Sequence, residues 1–301
     1  MAVQTVRNEL VKSLAAFSSD IKIAHSIFAL PFALVGLILS GAGWPTVSQS
    51  VLLLVAMVSA RSFAMGMNRW LDSDIDALNQ RTVMRAIPAG RLSSQGGLFI
   101  SLGAGVVLVF AASMLSPLCG ILSCPLLMIL AFYSRMKRIS CLTHFYLGLC
   151  LAMAPVAVSI ALTGRAGAAT LLVAAAVTVW TAGFDILYSL QDRTFDGENG
   201  LHSIPARYGA RAAVLISRGC FGLMILFLAL AGRVAGAGAL WNLALVAVSG
   251  LLFWEHWILR DHAEQVDGRL IDKAFFTANA WISMVFCAGV LMDLVARTVT
   301  R

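Results

Sequence analysis

Long apolar runs alternate with short polar segments along this chain. Nine runs of about 20 residues stand out, at approximately 23–42, 49–69, 96–115, 117–133, 141–163, 168–190, 212–232, 237–259 and 273–296. A run of that length spans a hydrocarbon core of about 30 Å as a helix. Lipid offers no partner to backbone N–H and C=O groups, so each run is expected to be α-helical. The predicted fold is all-α: nine transmembrane helices in one bundle around a central cavity, a single domain over 1–301. Almost nothing separates the third run from the fourth, which predicts a tight hairpin at Ser116-Pro117. Two polar connections are long, 70–95 and 191–211. Long charged connections usually carry function.

Composition agrees with this pattern. Of 301 residues, 59% are hydrophobic and 12% charged, and mean hydropathy is +0.86. Too few charges are present to cover a water-soluble domain of this size, so the chain is read as a polytopic membrane protein with the lipid bilayer as partner. A net charge of +7 would elsewhere suggest nucleic acid. Here the basic residues lie in the connections between runs, so no nucleic-acid partner is expected. With the N-terminus inside, sixteen Lys and Arg fall on inner segments and four on outer ones, while Arg61 and Arg218 lie within runs. This asymmetry places the N-terminus and both long connections in the cytoplasm, in a bacterial-type inner membrane. Residues 1–20 are polar and amphipathic, without a cleavable signal pattern. All six cysteines sit in or beside apolar runs, without metal-ligand spacing, and read as small hydrophobes.

The candidate chemistry lies at the ends of two runs. The first stretch reads Asn68-Arg-Trp-Leu-Asp72-Ser-Asp74-Ile-Asp76. The second reads Asp185-Ile-Leu-Tyr188-Ser-Leu-Gln-Asp192-Arg-Thr-Phe-Asp196. Asn68, Asp72 and Asp76 are spaced i, i+4, i+8. Asp185, Tyr188, Asp192 and Asp196 are spaced i, i+3, i+7, i+11. Both spacings put the polar groups on one helix face. Stacked carboxylates repel, and acidic groups at a membrane need a cavity, a partner or an ion. Mg²⁺ held between the stretches, with a phosphorylated substrate completing its shell, supplies that ion. Arg69, Arg81 and Arg85 flank the first stretch, Arg193 and Arg207 the second. Tyr133, Lys137 and Arg138 form a further group suited to phosphate contact. A membrane carrier is the competing class. It should place ionisable groups at the midplane, whereas these carboxylates cluster at the inner edge. The two stretches also echo each other, because Ile87-Pro88-Ala89 and Ile204-Pro205-Ala206 follow them at equal distance. That pattern suggests a weak duplication of helices 1–4 in 5–8.

These residues resemble the UbiA superfamily of intramembrane prenyltransferases over nearly the whole chain. Its first motif, Asn-x-x-x-Asp-x-x-x-Asp, corresponds to Asn68, Asp72 and Asp76. The second corresponds to Asp185, Tyr188, Asp192 and Asp196. Arg81-Thr82 with Arg85-x-Ile-Pro-x-Gly resembles the loop after the first motif, and Tyr133 with Lys137-Arg138 a third element. Ile23-Ala-His25-Ser-Ile-Phe28 and Gly200-Leu-His-Ser-Ile-Pro-Ala-Arg-Tyr-Gly209 are most similar to the 4-hydroxybenzoate polyprenyltransferase group. Ser134 stands where those enzymes usually have Pro, and relatives with this pattern act on a dihydroxynaphthoate, so both acceptors stay open.

The resemblance implies Mg²⁺-dependent transfer of a polyprenyl group from polyprenyl diphosphate to an aromatic carboxylate acceptor, in ubiquinone or menaquinone biosynthesis. It implies Asn68, Asp72, Asp76, Asp185, Asp192 and Asp196 as metal and diphosphate residues. Lys137, Arg138, Arg81 and Tyr133 are the further diphosphate contacts, with Tyr188 orienting a carboxylate or the acceptor. Lys22 and His25 share a helix face at the start of the first run and are expected to receive the acceptor carboxylate. The topology is directly testable. In a background without native cysteines, Ser93→Cys and Asn199→Cys should react with an impermeant thiol reagent in inside-out vesicles and not in intact cells. Labelling in intact cells would invert the orientation.

Overall fold

The structure, a computed structural model, describes residues 12–20, 30–259 and 278–299. Every regular element in them is helical. A first helix, α1, covers residues 12–20. It is followed by α2 (Leu30–Ser40), α3 (Val47–Leu71), the four-residue α4 (Ser73–Asp76), α5 (Ser94–Leu115), α6 (Pro117–Met136), α7 (Thr143–Thr163) and α8 (Ala168–Tyr188). A 3₁₀ turn at Ser189–Asp192 leads into α9 (Arg193–Glu198), and α10 (Ile204–Val234), α11 (Ala239–Leu259) and α12 (Asn279–Val299) complete the chain. Among the described residues, eight helices are long and apolar enough to cross a membrane. The first expected run, 23–42, is described only from residue 30 and holds the shorter apolar helix Leu30–Ser40. The all-helical membrane architecture therefore agrees with the apolar pattern.

Local sequence explains the helix boundaries. Thr46 starts α3 with a capping box, in which Gln49 N–H donates to Thr46 Oγ1 at 3.2 Å and Thr46 N–H donates to Gln49 Oε1 at 2.9 Å. This reciprocal pair satisfies donors that a helix start otherwise leaves orphaned. Ser93 and Ser203 cap α5 and α10 with the side-chain oxygen alone, accepting from Gly96 N–H and Ala206 N–H. Helix α10 begins eight residues before the apolar run expected at 212–232 because Ser203 and Pro205 form a strong start signal. Gly209 interrupts it, with φ +83° and ψ 170°, so a short turn precedes the long apolar helix.

Contacts group the chain into two units, Met1–Ser26 with Thr46–Arg135, and Ile27–Pro45 with Met136–Arg301. This grouping does not follow the suggested 1–4/5–8 duplication, because α2 packs on α7, α8 and α12. In the first unit α3 packs along α5. Phe17 of α1 is buried with Ala86 and Leu92 of the connection after α4, and its ring lies against Gly66 of α3. That small cluster anchors the long connection beside the first acidic stretch. On α5, Phe99, Leu102, Val106 and Phe110 form an exposed apolar stripe. In water such a stripe would be an aggregation surface, whereas in hydrocarbon it is the expected outer face.

In the second unit α8 is central, between α7 and α10. Trp180, Ile186 and Leu187 are fully buried on it. Trp180 meets Phe32 at 5.2 Å and Phe184 at 5.0 Å between ring centroids. Its indole N–H donates to Asn279 Oδ1 at 3.0 Å, and Asn279 Nδ2 donates to Glu255 Oε1 at 3.4 Å, tying α8, α12 and α11 together. Asp293 caps α11 with both carboxylate oxygens 3.0 Å from Gly238 N.

The close approach of α7 and α8 depends on Gly148, because a Cβ there would collide with the Thr178 carbonyl. Forcing an extra methyl into a tight interface costs about 1–3 kcal/mol. Gly148→Ala should therefore lower the melting temperature of the detergent-purified protein. Gly219→Ala, which adds its methyl where no atom lies within 4 Å, should not. Equal melting temperatures for the two variants would contradict this packing.

Candidate active site

Both acidic stretches sit where a long helix gives way to a shorter one. The chain bends at these points rather than continuing as one helix. Asp72 closes α3 with φ −100°, and the 3₁₀ turn at Ser189–Asp192 separates α8 from α9. Helical pitch persists through the first bend, since Asp72 N–H donates to Asn68 O at 2.9 Å and Asp76 N–H to Asp72 O at 2.8 Å. Asp72 and Asp185, at the C-terminal ends of α3 and α8, face the negative end of the helix dipole, which costs typically about 0.3–1 kcal/mol each, whereas Asp192 and Asp196 lie at the start of α9. Each stretch therefore depends on nearby donors and cations.

In the first unit, Asn68 Nδ2 donates to Asp72 Oδ2 at 2.6 Å and to Ser134 Oγ at 3.2 Å. Asn68 Oδ1 accepts from Arg69 at 2.7 Å, and Arg69 Nε is 3.4 Å from Asp20 Oδ2. The amide is thus oriented on both sides. Asp76 is buried, and one nitrogen of Arg85 bridges its oxygens at 2.6 and 2.7 Å. Thr82 Oγ1 donates to the Asp76 carbonyl at 3.0 Å. Tyr133 is half-buried, with its hydroxyl 3.9 Å from Met65 Sδ, and Arg81 is exposed.

In the second unit, Asp185 is half-buried at the end of α8, and its Oδ2 lies 2.7 Å from His144 Nδ1. Ile204 N–H donates to the other ring nitrogen, Nε2, at 3.2 Å. Asp196 is fully buried, and Lys137 Nζ stands 2.7 Å from its Oδ1. Asp196 Oδ2 has no hydrogen-bond partner. Asp192 is buried, Tyr188 packs against the hydrophobic core of this unit, and Arg138 is half-buried. Lys22 and His25 lie outside the described residues.

Sequence reasoning identified the carboxylates and singled out Lys137, but not which group pairs with which carboxylate. Arg85 appeared as a flanking charge and in the loop after the first motif, Ser134 only as a departure from the family pattern, and His144 not at all. Ser134 gains a role here, because its hydroxyl accepts from Asn68, which a proline could not do. His144 follows Lys137-Arg138 in an apolar run, and no spacing relates it to Asp185.

The residues present suit a hard divalent cation. Their donors are oxygens, as Mg²⁺ requires, and Asp196 keeps a buried oxygen without a partner. Among the described residues no group of three or more His, Cys, Asp or Glu side chains forms a metal site. An ion taking few protein ligands plus phosphate oxygens fits that arrangement.

The profile of the UbiA prenyltransferase family matches residues 29–295. The 4-hydroxybenzoate octaprenyltransferase of Pseudomonas fluorescens strain SBW25 is 29% identical over 262 residues, covering 86% of each chain. Among solved structures, the apo UbiA homolog from Aeropyrum pernix K1 superposes with a TM-score of 0.80 at 28% identity, covering 90% of this chain and 98% of that one. A UbiA homolog from Archaeoglobus fulgidus bound to DMAPP and Mg²⁺ has a TM-score of 0.71 at 17% identity, covering 93% and 99%, a likeness of fold.

The Asp76–Arg85 pair is open to measurement. Arg85→Met should strand a buried carboxylate and destabilise the protein. A hydrogen bond to a charged group is worth about 1.5–3 kcal/mol. Adding Asp76→Asn should recover part of the loss. A thermal-melt double-mutant cycle showing no coupling would refute the pairing.

Proposed function

We propose, because the chain belongs to the UbiA prenyltransferase family, that it transfers a polyprenyl group from polyprenyl diphosphate to an aromatic acceptor. The acceptor favoured is 4-hydroxybenzoate, and the pathway is the synthesis of a membrane quinone. The carrying observation is the pair of acidic helix ends, each with a buried aspartate held by a basic partner. The relatives' activity and the Mg²⁺ and DMAPP in an A. fulgidus homolog point the same way.

In this reading Asn68, Asp72 and Asp76 on one stretch, and Asp185, Asp192 and Asp196 on the other, hold Mg²⁺ and the diphosphate. Mg²⁺ held by these residues would supply positive charge to the diphosphate leaving group. Lys137, Arg138 and Arg81 take the remaining phosphate charge, Lys137 sharing itself between Asp196 and the substrate. Tyr133 is the further proposed contact of the diphosphate. Aromatic and apolar helix faces exclude water from the allylic cation, which water would otherwise quench. The electron-rich ring attacks beside its hydroxyl, and loss of the ring proton restores aromaticity. Tyr188 orients a carboxylate or the acceptor.

Lys22 and His25 are the proposed anchors for the acceptor carboxylate. Arg61 is a second candidate. It lies seven residues before Asn68 on the same face of α3, half-buried, and its Nε has no hydrogen-bond partner. The membrane is proposed to be a bacterial inner membrane with both acidic ends on its cytoplasmic side. A dihydroxynaphthoate is the alternative acceptor, supported by Ser134 in the place of Pro.

Membranes incubated with labelled polyprenyl diphosphate, Mg²⁺ and each acceptor test this reading. Prenylated 4-hydroxybenzoate should form, excess EDTA should stop it, and Asp72→Ala or Asp192→Ala should abolish it at unchanged protein level. Product from dihydroxynaphthoate alone would reassign the acceptor. Full activity in EDTA, or in either variant, would overturn the metal-dependent reaction.

A further inference from the structure

One ring links an acidic residue of α8 to a loop that carries no acid of its own. His144 is the second residue of α7 and only 2% exposed. A backbone N–H can only donate, so Ile204 N–H at 3.2 Å requires a lone pair on Nε2. The ring hydrogen is then on Nδ1 and is donated to Asp185 Oδ2 at 2.7 Å. His144 is therefore a neutral imidazole of fixed tautomer, engaging one oxygen of Asp185 and leaving its negative charge in place.

The same loop secures the other acid of this unit. Leu201 N–H donates to the Asp196 carbonyl at 2.8 Å, and His202 N–H donates to the Lys137 carbonyl at 2.7 Å. Lys137 in turn holds the Asp196 carboxylate. Ser203, buried, caps the helix that follows. Residues 201–204 thus touch the partners of both Asp185 and Asp196.

We infer that His144 is a positioning residue: it locks the Asp185 carboxylate so that Oδ1 is presented for cation binding, and it transmits the set of loop 201–204 to that carboxylate. The inference rests on the proposed reading of Asp185 as a residue that holds the divalent cation. Ligands oriented by a hydrogen-bonded neighbour typically lose about 10–100-fold in metal affinity when that neighbour is removed.

Two substitutions separate the two bonds. In His144→Asn the side-chain Nδ2 falls near the position of Nδ1, keeping a donor for Asp185 and losing the contact to Ile204. In His144→Gln the longer amide offers an acceptor to Ile204 N–H and no donor placed for Asp185. His144→Phe keeps ring volume and loses both bonds. The readout is Mn²⁺ binding followed by electron paramagnetic resonance, with purified protein and an unreactive prenyl thiodiphosphate, alongside melting temperature. Gln and Phe should weaken Mn²⁺ about 10–100-fold, and Asn should recover most of that affinity. A melting-temperature change shared by all three should not follow the affinity order. Wild-type affinity in Gln, or Asn as weak as Phe, would overturn the positioning role and leave His144 a packing residue. If Phe does not fold, the order of Asn and Gln still decides. Absence of prenyl diphosphate-dependent Mn²⁺ binding in the unmutated protein would instead overturn the functional reading, and the inference with it.

Discussion

A carboxylate that stays ionised when removed from water must find a positive charge or strong hydrogen-bond donors. Stripping a buried ion of its partner typically costs about 3–5 kcal/mol. Asp76 and Asp196 are both almost inaccessible to solvent, and much of the polar architecture serves them. Arg85 reaches back to Asp76 from a connection pinned by Phe17, Ala86 and Leu92. Lys137 reaches Asp196 from the start of the α6–α7 connection, where the loop before α10 hydrogen-bonds its carbonyl. The connection after α4 and the short α6–α7 connection are therefore cation carriers as well as links.

The membrane sets the complementary constraint. Large apolar side chains on α5 face outward, while α8 is buried along much of its length. Polar groups on the inner helices are accordingly linked in chains. Trp180, Asn279 and Glu255 join three helices by side-chain hydrogen bonds. Arg297 and Asp293 meet at 3.0 Å near the start of α11.

The apolar runs were legible because hydrocarbon thickness imposes a length that few other constraints produce. The aspartates were legible because they recur at helical spacing where charge is scarce. The pairing of basic groups with particular carboxylates was not, for a physical reason. Arg85 meets Asp76 across a turn, and His144 meets Asp185 across 41 residues. Tertiary packing alone creates these contacts, so no periodic signal precedes them. The bends at Asp72 and at Ser189–Asp192 were hidden as well, because a helix closed and restarted keeps nearly the same spacing of side chains.

Gly209 has a consequence of another kind. A Cβ there would meet no atom within 4 Å, yet φ is +83° and ψ 170°. That combination is one almost reserved to glycine among L-residues. The position thus excludes L side chains by backbone conformation and not by crowding. Even L-alanine, smaller than most alternatives, would be refused there. The junction between the loop before α10 and its membrane-spanning part is secured by stereochemistry rather than by packing.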